Sequence, residues 1–179
     1  MKTVIQRVKS ATVTVDGQVI SSISRGLLIF AAVAKDDDVK SVEGMASKVL
    51  KVKLWEDPVT GTKWKKTVAD IDGEVLCVSQ FTLLASMKKN SPSFHRTAGP
   101  SESRRLYNAF FTQVKALCSV DKVKDGVFGA MMDVGIVNDG PVGLDLECID
   151  EDVNLTPSHP CLPYTEGREL TDAQGHDHD

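Results

Sequence analysis

The chain has 179 residues, 41% of them hydrophobic and 26% charged, with a formal net charge of −4. That length and balance fit one globular domain and exclude a disordered chain, and no apolar run approaches the roughly 20 residues of a membrane helix. Residues 151–179 carry seven of the 25 acids and one of the 21 bases, which leaves 20 bases against 18 acids in 1–150: a slightly basic body with a terminal excess of acid.

In chain order, TVIQRV and ATVTV alternate like strands, and Asp16-Gly17 marks a hairpin before QVISSI. This charged, alternating start is no signal-peptide pattern. GLLIFAAV is a continuous apolar run that suits a buried strand. Val39, Val42, Met45, Ala46, Val49 and Leu50 recur at helical spacing behind Asp36–Asp38, which supply N-cap candidates. Asp72-Gly73 is a second hairpin signal, ahead of the predicted strand EVLCVSQFTL. A second helix is predicted from near Ser101, after Pro100, with Leu106, Phe110, Val114 and Leu117 on one face. GVFGAMMDVGIV is predicted as a strand because Phe128, Ala130, Met132, Val134 and Ile136 alternate. NDGPVG then reads as a tight turn before a last strand, LDLECI. From Glu151 the sequence changes to an acidic stretch with Pro157, Pro160 and Pro163, predicted to be an extended appendage whose His176 and His178 are solvated. The domain is therefore placed at 1–150 and the tail at 151–179. The order is not a regular alternation of strands and helices, and no glycine-rich nucleotide loop is present. An α+β fold is expected, a small barrel-like antiparallel or mixed sheet with two helices packed outside.

Catalytic machinery is sparse. No G-x-S-x-G or H-E-x-x-H motif occurs, and His95 and His159 are the only histidines before the terminal tract. Cys77, Cys118, Cys148 and Cys161 form no C-x-x-C pair, so neither a zinc site nor a disulfide framework is expected, and a reducing cytosol fits. A catalyst with this inventory must rely on positioning, on backbone dipoles, or on a group brought by its substrate. Two polar interruptions of apolar segments stand out: Ser79-Gln80-Phe81-Thr82-Leu83 and Asn138-Asp139-Gly140-Pro141-Val142. Taken singly, the first reads as a half-buried strand end and the second as a turn.

Taken together the two segments resemble the D-aminoacyl-tRNA deacylases. The resemblance starts at Val4-Ile5-Gln6-Arg7-Val8 and the ATVTVDG hairpin. It runs through Pro92-Ser93-Phe94-His95 and the second helix to Phe128-Gly129-Ala130-Met131-Met132, covering essentially all of 1–150. It implies a homodimeric hydrolase of the ester joining a D-amino acid to the 3′-terminal adenosine of tRNA, active also on mischarged Gly-tRNA, with no cofactor, no metal and no membrane partner. It further implies that Gly140-Pro141, joined by a cis peptide, enters the partner's site and excludes L-amino acids, with Arg7 bracing that loop. Ser79, Gln80, Phe81 and Thr82 line the ester pocket, and Phe128 and Met132 meet the terminal adenine. Backbone N–H groups around Gln80 and Phe81 then hold the oxyanion while the ribose 2′-hydroxyl helps activate water; Thr82 as nucleophile is the rival. A non-catalytic RNA-binding module on the same fold and a small-ester hydrolase are the alternatives. The chain departs from the family pattern at Gly143, where threonine is usual, at Lys89, where glycine is usual, and at Ser91, where a basic residue is usual.

Overall fold

Residues 1–147 are described in the computed structural model, and the tail with its histidines lies outside them. The organising element is β1 (Lys2–Val15). One of its edges pairs antiparallel with two strands in succession, β3 (Gly26–Ala32) along residues 2–8 and β2 (Gln18–Ile23) along residues 11–15. Its other edge pairs antiparallel with β8 (Asp133–Glu147) over nearly its whole length. The Asp16-Gly17 turn joins β1 to β2 with both residues at positive φ (49° and 78°), the backbone hairpins of this length need.

From β3 the sheet continues in parallel through β4 (Glu74–Ser79) to β7 (Val123–Asp125). Asp72-Gly73 therefore starts a strand but does not close a hairpin, because the connection from β3 runs through a helix. The order is β2-β1-β3-β4-β7, and the sheet curls until Ser21 Oγ on β2 donates to the Asp125 carbonyl on β7 at 2.5 Å. It is a mixed, nearly closed barrel with both helices outside.

The helices are α1 (Val39–Lys51) and α2 (Pro100–Leu117). Asp38 caps α1: its carboxylate accepts from Ser41 N–H at 2.7 Å while Ser41 Oγ accepts from Asp38 N–H at 3.0 Å. Pro100 opens α2 at a position where a missing N–H costs nothing. Val42, Met45, Ala46 and Val49 of α1 and Leu106, Phe110 and Val114 of α2 bury against Ile5, Leu27, Ile29, Val75 and Cys77 of the sheet. The other sheet face buries Val8, Ala11, Val13, Ile23, Leu28, Leu76 and Val78. So β3 and β4 are apolar on both faces, which is why their sequences run without alternation. Each Val, Leu, Ile, Phe or Met among them contributes about 1.5–3 kcal/mol on burial.

Three predicted elements differ. The strand predicted over EVLCVSQFTL ends at Ser79, and Phe81–Leu84 is a 3-10 turn. Residues 126–132 are turns and loop rather than strand, since their apolar side chains face a cavity and not a neighbouring strand. NDGPVG is no turn between strands, for β8 runs straight through it. Arg7 pairs with Val142 and Val8 with Asn138, so Asp139, Gly140 and Pro141 are looped out as a three-residue bulge within one strand.

Candidate functional site

A cavity of about 480 Å³ opens where β4 ends. Its floor is β3 and β4, through Ala32, Val33 and Ser79. One wall is the 3-10 turn and the segment after the small hairpin β5 (Ser86–Lys88) and β6 (Ser91–Ser93), through Phe81, Phe94 and Thr97, and the other is the 128–132 loop. Phe81 and Phe94 meet edge to face at 5.0 Å between ring centres. Not one lining side chain is charged. The structure thus brings Ser79, Phe81, Phe128 and Met132, separated by about fifty residues of sequence, onto one cavity, whereas Gln80 and Thr82, expected beside them, do not line it.

The polar atoms at the turn have definite partners. Gln80 N–H donates to the Ala31 carbonyl at 2.8 Å, extending the β3–β4 ladder by one bond. It is therefore committed to the sheet, which corrects the expectation that it faces an oxyanion. The first backbone bond within the turn is Leu83 N–H to the Gln80 carbonyl. Phe81 and Thr82 N–H precede it and have no acceptor inside the turn, as at any helix start. Gln80 Nε2 donates to Thr82 Oγ1 at 3.0 Å, so the threonine hydroxyl faces an amide and not a base. His95 Nδ1 lies 3.3 Å from Ser86 Oγ and 3.1 Å from Ser93 Oγ; among the described residues no carboxylate is bonded to its ring. Cys77 is fully buried two residues before Ser79, and burial pushes its thiol well above the usual value, so it stays protonated and inert.

Phe128 has a built support. Tyr107, 1% exposed, packs its ring 5.7 Å from the Phe128 ring and donates its hydroxyl to Asp125 Oδ1 at 2.6 Å. Burial raises the Asp125 carboxyl above its ordinary value, against the bonds from Tyr107 and Gly126 N–H that lower it; burial raises the Tyr107 phenol well above its own.

The β8 bulge lies elsewhere, on a second cavity of about 390 Å³ lined by Arg7, Arg25, Trp55, Lys63, Trp64, Asp139 and Gly140. Arg7 holds it: Nε donates to the Asp139 carbonyl at 3.0 Å and faces its carboxylate at 3.3 Å, while Nη1 donates to the Leu54 carbonyl at 2.5 Å. Gly140 has φ +118°, and a Cβ there would lie 2.8 Å from Arg7 Nη2. The Gly140–Pro141 peptide is trans, as are all others among the described residues, and this corrects the expectation of a cis bond. Neither Gly140 nor Pro141 lines the first cavity.

Of the departures from the family pattern, that at Gly143 has a local reason and that at Lys89 carries a local strain. Gly143 sits opposite Gln6, whose amide lies over it, 2.9 Å from where a Cβ would stand. Lys89 has φ +56° at the tip of the β5–β6 hairpin, a conformation that favours glycine.

A family profile described as D-Tyr-tRNA(Tyr) deacylase matches residues 4–147. The chain belongs to the D-aminoacyl-tRNA deacylase family. It is 46% identical to a D-aminoacyl-tRNA deacylase of Yarrowia lipolytica, over 82% of this chain and 97% of that one. It is 43% identical to D-aminoacyl-tRNA deacylase 1 of Homo sapiens, over 82% of this chain and 70% of that one. The solved structure of a c-Myc DNA Unwinding Element Binding Protein superposes with a TM-score of 0.80 at 42% identity, covering 84% of this chain and all of the other. A probable eukaryotic D-amino acid tRNA deacylase superposes with a TM-score of 0.71 at 15% identity, a likeness of fold alone.

Sequence reasoning did not single out Thr97, Ser103 or Met131 as cavity residues, nor Phe94 beyond its place in a motif. The signal for Phe94 was available: an aromatic in the polar stretch KKNSPSFHRTAGP has no core to enter.

Proposed function

We propose that this chain hydrolyses the ester between a D-amino acid and the 3′-terminal adenosine of tRNA, clears mischarged Gly-tRNA, and spares L-aminoacyl-tRNA. The observation that carries the reading is the uncharged cavity at the end of β4, where an aromatic platform and the start of the 3-10 turn face one space. The adenine rests against Phe128 and Met132, and the ester lies beside Ser79 and the turn. Phe81 and Thr82 N–H receive the oxyanion as it develops, each donor supplying about 2.7–4 kcal/mol of transition-state stabilisation. The aminoacyl ester is already activated, and its neighbouring 2′-hydroxyl assists the attacking water. The Gln80–Thr82 hydrogen bond favours this route over attack by Thr82, because an amide donor cannot take the hydroxyl proton.

The chiral filter comes from a second copy. Gly140-Pro141 is held by Arg7 away from its own chain's cavity, and β8 pairs only with β1 among the described strands. Ile136, Val137 and Leu144 of β8 are exposed, at 40%, 53% and 38%. A homodimer formed on this face carries each bulge to the other chain's cavity as a wall beside the substrate Cα. A D side chain points away from such a wall, an L side chain runs into it, and glycine has none. The activity resides in residues 1–150, with 151–179 as an appendage, and belongs in the cytosol where translation occurs.

The test is incubation with D-Tyr-tRNA, L-Tyr-tRNA and Gly-tRNA, following amino-acid release. Turnover of the D and Gly species alone is expected. Equal cleavage of the two Tyr enantiomers defeats the filter, and binding without any turnover defeats the hydrolase.

A further inference from the structure

The first cavity is uncharged, yet a nucleotide that enters it through its base carries an anionic phosphate on its ribose. That phosphate has to be met at the rim. Arg104, on the exposed face of α2, places its guanidinium carbon 4.7 Å from the centre of the Phe128 ring. No carboxylate lies within ion-pair distance of Arg104 among the described residues, whereas its neighbour Arg105 is forked onto Glu102 at 2.6 and 2.9 Å. The two adjacent arginines thus differ: one charge is neutralised along the helix, the other is parked on an aromatic ring at a cavity mouth. The face of the ring attracts the cation, and no hydrogen bond engages the guanidinium of Arg104 among the described residues, which leaves its N–H fork available for two parallel bonds to a phosphate. The Phe128 ring packs against Tyr107, whose hydroxyl is bonded to Asp125, so the ring under Arg104 has a buried support.

We infer that Arg104 binds the 5′-phosphate of the nucleotide whose base lies on Phe128, which in the proposed reaction is the phosphodiester joining the terminal adenosine to the rest of the tRNA. The inference rests on the functional reading above for the identity of that nucleotide. It adds a residue that reads the RNA backbone, and through it the enzyme distinguishes a nucleotide from a free nucleoside ester. A single contact of this kind contributes about 0.7 to the logarithmic salt slope for a single strand.

The test uses the full chain and two stable amide analogues, 3′-deoxy-3′-(D-tyrosylamido)adenosine with and without a 5′-phosphate. The unmodified protein is expected to bind the phosphorylated compound about tenfold more tightly, which is about 1.4 kcal/mol. In Arg104→Ala that ratio falls to about one, and in Arg104→Lys, which keeps the charge but not the fork, it lies between. Arg105→Ala keeps the full ratio. A ratio of one in the unmodified protein, or a ratio that survives in Arg104→Ala, overturns the inference. D-Tyr-tRNA turnover separates the two claims. If the ratio depends on Arg104 but no ester is cleaved, the phosphate site stands and the hydrolase reading falls. If esters are cleaved with no phosphate preference, the reverse holds. If neither analogue binds, both fall.

Discussion

The end of β4 and the bulge of β8 are the two segments in which polar residues interrupt an apolar pattern, and the fold treats them in opposite ways. At the end of β4 the interruption follows a strand buried on both faces, and it opens onto a cavity lined by residues of the same chain. In β8 the interruption lies in the most exposed strand of the sheet and is held by one arginine reaching across from β1. The first is a pocket whose floor and sides come from its own chain. The second is a shape held out for something else. A polar break in a core strand and a polar break in an edge strand look alike in sequence but differ in which molecule completes them.

The largest effect is expected where the buried side is made tighter. A Cβ on Gly26 would stand 1.8 Å from the Glu74 carbonyl oxygen, so Gly26→Ala forces β3 and β4 apart. A loss of about 3 kcal/mol or more is expected by denaturant unfolding, with the cavity and its activity lost alongside. An unchanged midpoint would mean the two strands are not in the described register.

Gly140→Ala tests the exposed side. Positive φ and the crowded Arg7 guanidinium together cost about 1–3 kcal/mol, which the core tolerates. Activity on D-Tyr-tRNA is expected to fall at least a hundredfold, while the adenosine amide analogue still binds, because the cavity is built from other elements. Loss of analogue binding in step with activity would show that bulge and cavity are one site within one chain. Mixing Gly140→Ala with a variant altered in the 80–82 turn then sharpens the comparison. Recovery of activity in the mixture is the expected sign that each chain completes the other's pocket.

How legible these segments were depended on where their partners lie. The helices, the first hairpin and β3 could be read because their determinants are local: Asp38 with Ser41, Asp16 with Gly17, an unbroken apolar run. The bulge could not, because Asp139-Gly140-Pro141 has the composition of a turn, and only pairing with Arg7 and Val8, some 130 residues earlier, shows that the strand continues. The 126–132 loop was misread because alternation reports which side chains are covered, not whether the backbone is paired. Phe128 and Met132 are partly covered by the two cores they pack against, and no strand pairs with their backbone. The cavity residues came from family resemblance, while Gln80 N–H, spoken for by Ala31, needed coordinates.

A smaller gain is expected at the hairpin beside the cavity. Lys89→Gly removes a side chain from a left-handed position and is expected to stabilise the fold by about 0.5–1 kcal/mol in thermal unfolding, with no loss of catalysis. A destabilised variant would show that Lys89 makes a contact that outweighs its strain.

The smallest effect is a pH dependence beneath Phe128. Burial holds the Asp125 carboxyl above its ordinary value in the folded protein, so the unfolded chain releases that proton first. Between the ordinary value and the raised one the folded state binds more protons, and stability falls as pH rises through that window. Asp125→Asn is expected to flatten this part of the stability profile. An unchanged slope would place its origin in another group.

The central strand also sets an order of events during synthesis. Of the described elements β1 is made first, and the strand that covers one whole edge of it, β8, is made last. At roughly 5–20 residues per second the ribosome needs on the order of ten seconds to travel from one to the other. Through that interval the nascent chain can close β1 against β2 and β3 but carries a fourteen-residue strand with one side unsatisfied, a template for any other chain with a free strand. Pairing between strands so far apart in sequence makes the finished sheet slow to form, because the long loop has to close before its contacts reward it.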